Sequence, residues 1–407
     1  MNKQKFTILG MTGSGKTCYL LSMYKQMLPG IESFTLNTDH DTHIDLRNRY
    51  KRMANAWLGK KRFPNPTNQL EIFNFTLEHT TSPVISFEWI DYICKRFWRA
   101  CRAISLAMSF DWTVNLYKRL WQTYGTVSSV MSFDWIDYPG ELLEEKNTGG
   151  TDQYAKLSSC VKDSGCLFIC VDGKLLQGDD DNEDKSDLIK ESCSSFINPF
   201  LSYYLRTNNY LPPTAIIVTK WDLCAKDVNN DDLAVILKDA FSPLFIETNN
   251  INRFVTVLPV SLGKNIAKRN NRGRLAPHNI QMPIFMGIWF SLYELSIRLT
   301  DIIDFKERQI RLLEQKRSKE QKSFFLFRNR KKIDSLTKNA DNKKWEIVKE
   351  KEQLEKAIKH SDLLLKELQN KVKLAYYNGE EYESFSGAAV KYLEKRRHQI
   401  SSNPRER

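Results

Sequence analysis

Near its start the chain reads Gly10-Met11-Thr12-Gly13-Ser14-Gly15-Lys16-Thr17. A glycine, four residues, then glycine, lysine and threonine is the spacing of a phosphate-binding loop (the Walker A pattern), and the flanks agree with it. Phe6 to Leu9 is a short apolar run that reads as a buried strand, and Cys18 to Leu28 reads as a helix stopped by Pro29-Gly30. Glycines let a backbone wrap an anion, so that successive N–H groups and the helix N-terminus point at a phosphate. Lys16 would reach the β- and γ-phosphates, and the Thr17 hydroxyl would hold Mg2+. These residues indicate a nucleoside triphosphate and leave its base open.

Three further stretches bear on the base and the metal. Asp137-Tyr138-Pro139-Gly140 follows an apolar strand. An aspartate there can hold Mg2+ directly or through water, and the glycine lets a backbone N–H approach the γ-phosphate. Thr219-Lys220-Trp221-Asp222 follows another strand. The Asp222 carboxylate can accept from the N1–H and exocyclic amine of guanine, a donor pair that adenine lacks, while the Lys220 stem packs over the purine. Ser261-Leu262-Gly263 follows the last predicted strand, where a backbone N–H could meet the guanine O6.

In this order the four motifs resemble those of Ras-like GTPases of the translation-factor-related class. The resemblance covers roughly residues 3–300 and implies a P-loop NTPase, Ras-like fold that binds GTP or GDP with Mg2+ and hydrolyses GTP to GDP and phosphate. It implies nucleotide contacts from Gly10, Gly13, Ser14, Gly15, Lys16, Thr17, Cys18, Lys220, Asp222, Ser261 and Leu262. It implies Mg2+ ligands at Thr17, Asp137 and a switch threonine. Asn65-Pro66-Thr67 stands where the family has that threonine, with Thr38 and Thr42 as competitors. The catalytic set implied is Lys16, Thr67, Gly140 and Glu141. Two positions depart from the family. Glu141 replaces the usual glutamine or histidine that orients water; a carboxylate there also repels the γ-phosphate, so slow hydrolysis or a partner-supplied residue is expected. Ser-Leu-Gly replaces Ser-Ala-Lys over the base.

The elements that must position these residues alternate. Leu70 to Leu77, Gly165 to Asp172, Thr214 to Thr219 and Phe254 to Val260 read as strands; Asp45 to Leu58, Ser186 to Leu205, Asp231 to Phe245 and Pro283 to Ile303 read as helices. Strand–helix alternation predicts an α/β fold, a mostly parallel sheet with helices on both faces. The acidic run Asp179 to Asp184 reads as a solvated loop. Ser86-Phe87-Glu88-Trp89-Ile90-Asp91-Tyr92 recurs as Ser132-Phe133-Asp134-Trp135-Ile136-Asp137-Tyr138. Only one copy can occupy the central sheet, and the Pro-Gly after the second favours it. Residues 93–130 then form an aromatic and basic insertion between the two switch segments, able to couple nucleotide state to a partner.

Beyond a domain of residues 1–300, residues 301–375 read as a helical, coiled-coil-like hairpin and 376–407 as a basic, partly disordered tail. Leu354, Ile358, Ser361, Leu365, Leu368 and Val372 step as a heptad seam. Phe324, Phe325 and Phe327 beside Arg328, Arg330, Lys331 and Lys332 form the hairpin's tip, with a membrane-interface composition.

Charge follows the same division. The formal charge is +12, and residues 301–407 hold 27 basic against 18 acidic side chains. Such an excess suits an anionic membrane surface or nucleic acid, but no nucleic-acid motif is present and Lys/Glu intermixing suits helix pairing better. Eight scattered cysteines without C-x-x-C spacing fit a reducing compartment and exclude a zinc knuckle. Met1-Asn2-Lys3-Gln4 leads straight into the first strand, so no signal peptide and no myristoylation are expected. The expectation is a cytoplasmic, GTP-binding, slowly hydrolysing switch that signals to a protein partner, or to a second copy, through the insertion and hairpin. The alternatives are a mechanical GTPase in peripheral membrane contact through the hairpin tip, and a non-hydrolysing nucleotide-binding scaffold.

Overall fold

The computed structural model describes residues 3–57, 69–81, 126–144, 150–178, 181–208, 210–246, 251–263, 276–322 and 330–402. In chain order they form β1 (Gln4–Gly10), α1 (Lys16–Met27), β2 (Phe34–Asn37), α2 (His40–Trp57), β3 (Glu71–Thr81), β4 (Thr126–Asp137) and the one-turn α3 (Glu141–Glu144). There follow α4 (Gly150–Lys162), β5 (Cys166–Asp172), α5 (Asn182–Ile189), α6 (Ser195–Asn208), β6 (Thr214–Thr219), α7 (Asn230–Ala240), α8 (Ser242–Phe245) and β7 (Phe254–Pro259). The chain ends in α9 (Met282–Lys322), α10 (Arg330–Lys371), β8 (Leu374–Tyr377), β9 (Glu380–Tyr382) and α11 (Phe385–Ser402).

The strands form one sheet in the order β2-β3-β4-β1-β5-β6-β7-β8-β9. The central five, β4 to β7 in that order, are parallel. Antiparallel pairs extend both flanks. This is the expected α/β class. β5 shows why its sequence reads as a continuous apolar run: Cys166, Phe168 and Cys170 join the core under α1 and α9, whereas Leu167, Ile169 and Val171 join the core under α6 and α7. A strand covered on both faces has no polar side to show.

The second copy of the duplicated heptapeptide lies in β4, beside β1, with Phe133 and Trp135 fully buried. The first copy, 86–92, lies outside the described residues. So does the expected insertion up to residue 125; residues 126–130 belong to β4 itself. The helix expected over 186–205 is interrupted by a π turn at Lys190–Ser194, ahead of Pro199, whose ring cannot fit an unbroken α ladder. The end of the acidic run acts locally, as the Asp181 carboxylate accepts from the Asp184 N–H at 2.9 Å and caps α5.

The boundary expected at residue 300 falls inside α9. The first half of this helix crosses the sheet, with Ile284, Phe285, Met286, Ile288 and Trp289 buried, and its second half leaves the core to pair with α10. Ion pairs fix the pairing as antiparallel, because from one turn to the next one number rises while the other falls: Glu307 with Lys351 (3.0 Å, beside Lys306 with Glu350 at 2.6 Å), Glu314 with Lys344 (2.9 Å), and Glu320 with Lys332. The buried seam of α10 differs from the one expected. Ile347, Ala357, Ser361, Leu364 and Leu368 are buried, while Ile358 is 46 % exposed and Leu365 half-buried. Of the expected tip, residues 323–329 lie outside the described residues, and Arg330, Lys331 and Lys332 form the start of α10. Among the described residues no helix is long and apolar enough to cross a membrane.

Residues 374–402 are folded, not a disordered tail. β8 pairs with β7 at the sheet edge, and Asn378-Gly379, both at positive φ (50° and 91°), turn the chain tightly into β9. Phe385, Tyr392 and Leu393 of α11 are buried in the core, and the Tyr392 hydroxyl donates to the Leu211 carbonyl at 3.1 Å. The helical hairpin is therefore an excursion between two parts of one core.

Candidate functional site

The parallel strands deliver their C-terminal ends to one edge of the sheet, at Asp137, Gly10, Asp172, Thr219 and Pro259. Both neighbours of β1 continue away from it in opposite directions across the sheet. The crevice beside its end is where open α/β sheets bind ligands.

Out of β1 the loop turns on glycines. Gly10, Gly13 and Gly15 have φ of 154°, 83° and 93°. A Cβ on Gly10 would lie 2.7 Å from Ser14 Oγ and 2.9 Å from the Cys170 carbonyl oxygen, so only glycine fits. Gly15 is the N-cap of α1 and offers no side chain to cap it. The first N–H groups of that helix are thus left to an anion. Lys16 is buried, and its ammonium donates to the carbonyls of Gly10 (2.6 Å) and Met11 (3.2 Å), which hold it against the loop.

On the other side of β1, the Thr17 hydroxyl approaches Asp137 Oδ2 at 3.5 Å. Asp137 is 1 % exposed, and its Oδ1 has no hydrogen-bond partner. Burial pushes its carboxyl up to about 6; Lys16 opposes the rise and Glu71, its register partner on β3, adds to it. A buried carboxylate oxygen without a partner beside a hydroxyl is a hard-oxygen pair suited to Mg2+. Among the described residues no cluster of three or more His, Cys, Asp or Glu could hold a metal alone, so a cation here would take further ligands from nucleotide and water. Gly140 lies directly on the loop: a Cβ there would stand 2.4 Å from the Thr12 nitrogen. Glu141, the first residue of α3, is exposed.

The segment after β6 is tied to the loop. Lys220, at φ 53°, donates to the Gly13 carbonyl at 3.3 Å and to the Asp172 carboxylate. The Thr219 hydroxyl donates to the carbonyls of Ser14 (2.7 Å) and Val171 (3.1 Å). Asp222 sits in the short 3-10 turn Trp221–Leu223, and the Trp221 N–H reaches the Val260 carbonyl at 3.1 Å, next to Ser261. Ser261 is held by reciprocal backbone bonds with His278 (3.2 and 2.9 Å), and Leu262 accepts from the Ala276 N–H at 3.1 Å. Burial pushes the Cys18 thiol up to about 11, against the pull of Lys220, so it is no thiolate nucleophile.

All the expected site residues except Thr67 thus gather at this edge; Thr67 lies outside the described residues. Thr42 is engaged elsewhere, its N–H and hydroxyl both donating to Asp39 (2.9 and 2.7 Å) at the start of α2, and the Thr38 hydroxyl donates to the Asn74 carbonyl. Residue types alone did not single out three participants. Asp172 pairs with Lys220, and its only signal is that it ends a buried strand. Thr219 staples loop to sheet. Arg49 on α2 grips Glu71 in a two-pronged ion pair (2.7 and 2.9 Å) and holds Asp45 at 2.8 Å, which fixes α2 beside Asp137.

No protein-family model matches the chain, and no curated protein matches it in sequence.

Proposed function

We propose that this edge binds GTP with Mg2+ and that the protein is a slow GTPase switch of the P-loop, Ras-like kind. The observation that carries the reading is the meeting of four segments far apart in sequence around one glycine-lined helix N-terminus. Gly10–Thr17 supplies N–H groups and an ammonium for phosphates. Thr17 and Asp137 would hold Mg2+, which supplies charge neutralisation at the β- and γ-phosphates when bound. Lys220 and Asp222 would sandwich and read the guanine, with Ser261 and Leu262 closing over its O6. The N–H of Gly140 would sense the γ-phosphate, so loss of that group frees the chain leading into α3. Glu141 brings a negative charge where other family members have a neutral donor, hence the slow rate.

Binding of fluorescent GTP and ATP analogues to the purified full chain tests this. GTP is expected to bind at least about tenfold tighter than ATP, about 1.4 kcal/mol. Lys16→Ala should abolish binding of both. Asp222→Asn should erase the guanine preference and admit xanthine nucleotides, whose C2 carbonyl accepts from the new amide. Equal affinity for GTP and ATP, or an unchanged preference in Asp222→Asn, would sink the guanine assignment.

A further inference from the structure

The helical hairpin has two unlike sides. Glu307 and Glu314 pair with Lys351 and Lys344 on one side of the seam, where Asp304, Arg311, Asp341, Glu355 and Lys359 also lie by helical position, so that charges of both signs are mixed there. The other side of α9 presents Ile302, Phe305 and Leu312, which are 41, 55 and 57 % exposed. Spacings of three and seven put them on one stripe, and the stripe continues toward the tip as exposed Lys316 and Lys319. Across the seam, α10 adds exposed Lys349 to the same side, its ammonium 3.5 Å from the centre of the Trp345 ring. Glu346, also on this side, is occupied by Lys306 at 2.7 Å. From Ile302 to Lys319 the stripe runs about 26 Å.

We propose that this side of the hairpin binds an anionic lipid surface. Large apolar side chains along a helix, flanked by lysines and facing away from the ion-paired side, match the interfacial layer of a negatively charged bilayer: the rings and branches enter the acyl boundary while the ammoniums meet headgroup phosphates. An acidic protein would be drawn by the same charges, but would not need three exposed large hydrophobic residues in line. A second copy would have to set this side against the ion-paired one, where Val348 and Ile358 are exposed. The proposal concerns the flank of the hairpin and does not depend on the nucleotide reading.

The test is co-flotation of the full chain with phosphatidylcholine vesicles, with and without phosphatidylserine, in the absence of nucleotide. The wild type should float with the phosphatidylserine vesicles only and be released by high salt. Phe305→Ser/Leu312→Ser and, separately, Lys316→Glu/Lys319→Glu should each lower the bound fraction about tenfold or more, with unchanged helix content and melting temperature. Val348→Ser, on the ion-paired side, should float like the wild type. Failure of the wild type to float, wild-type-level flotation of either double variant, or loss on Val348→Ser alone would overturn the proposal. Concentration-dependent sedimentation without vesicles, abolished by Phe305→Ser/Leu312→Ser, would assign the face to a second copy instead.

Discussion

Asp137 carries opposite demands. A cation needs its carboxylate ionised, and burial makes that state costly. The folded carboxyl titrates near 6, against 3.8 for an ordinary aspartate. The folded state therefore holds the proton more tightly than the unfolded chain: the protein without ligand loses stability as pH rises from below 3.8 through 6, and the cost is fully present above that. Asp137→Asn should stabilise the ligand-free protein by about 2–3 kcal/mol at pH 8 and by nothing at pH 3, measured by urea unfolding. The same substitution should abolish Mg2+-dependent nucleotide retention. Gly140 sets a second residue-level limit. Because a Cβ there would stand 2.4 Å from the Thr12 nitrogen, Gly140→Ala must displace backbone. It should weaken triphosphate binding about tenfold or more and cost roughly 1–3 kcal/mol of stability. Affinity titration and thermal melting of one preparation check both.

Among the elements, the β3–β4 ribbon links the two ends of the sheet. At one end it holds Glu71 and Asp137; at the other, Thr81 pairs with Thr126. Near that far end the His79 and His360 rings meet edge to face at 5.6 Å, and Ser128 Oγ lies 3.2 Å from His360 Nε2, joining the ribbon to α10. Burial, then His79, Lys359 and Lys356, lower the His360 imidazole to about 4; burial and Lys359 lower His79. Both are held neutral, so the contact contributes fully above 6.5, the ordinary value, and is lost as pH falls toward 4 while the unfolded chain takes up protons. The melting temperature should drop by several degrees between those limits, and His360→Gln should flatten the drop. The position of this contact also bears on the insertion. The described residues that flank it, Thr81 and Thr126, sit at the end of the β3–β4 ribbon opposite Asp137.

At the scale of the whole molecule, one core is closed by segments on both sides of the hairpin. Truncation after residue 373 removes β8, β9 and α11, and with them buried Tyr376, Phe385, Tyr392 and Leu393; no folded protein is expected, by circular dichroism or soluble yield. Replacing residues 307–346 by a short Gly/Ser link should instead leave the core intact and nucleotide binding unchanged. The contrast shows what was legible in the sequence. β1, β5, β6 and β7 announce themselves because the buried parts of strands covered on both faces are apolar runs interrupted by nothing more polar than threonine, and the loop announces itself because Gly10, Gly13 and Gly15 must take positive φ. The seam of α10 was legible in part: Ser361, Leu368 and Val372 are buried as their spacing predicts, but Ala357 and Leu364 take the places expected of Ile358 and Leu365, because a stripe of adjacent apolar residues leaves open which of two neighbours faces the core. β8 was the harder loss. Four residues with a remote partner make no pattern of their own, although Asn378-Gly379 between Tyr377 and Glu380 is a strong local hairpin signal. Asp172 and Arg49 act only through partners that the fold brings to them.

The pairing of β7 with β8 has a consequence in the order of synthesis. β7 ends at Pro259, and its neighbour starts at Leu374, with the whole hairpin made in between. A nascent chain therefore carries a buried-type apolar strand with a bare hydrogen-bonding edge while the ribosome works through the helices. Until Leu374–Tyr377 emerges, that edge is open to any passing strand, and chaperone capture and misassembly should concentrate in this window.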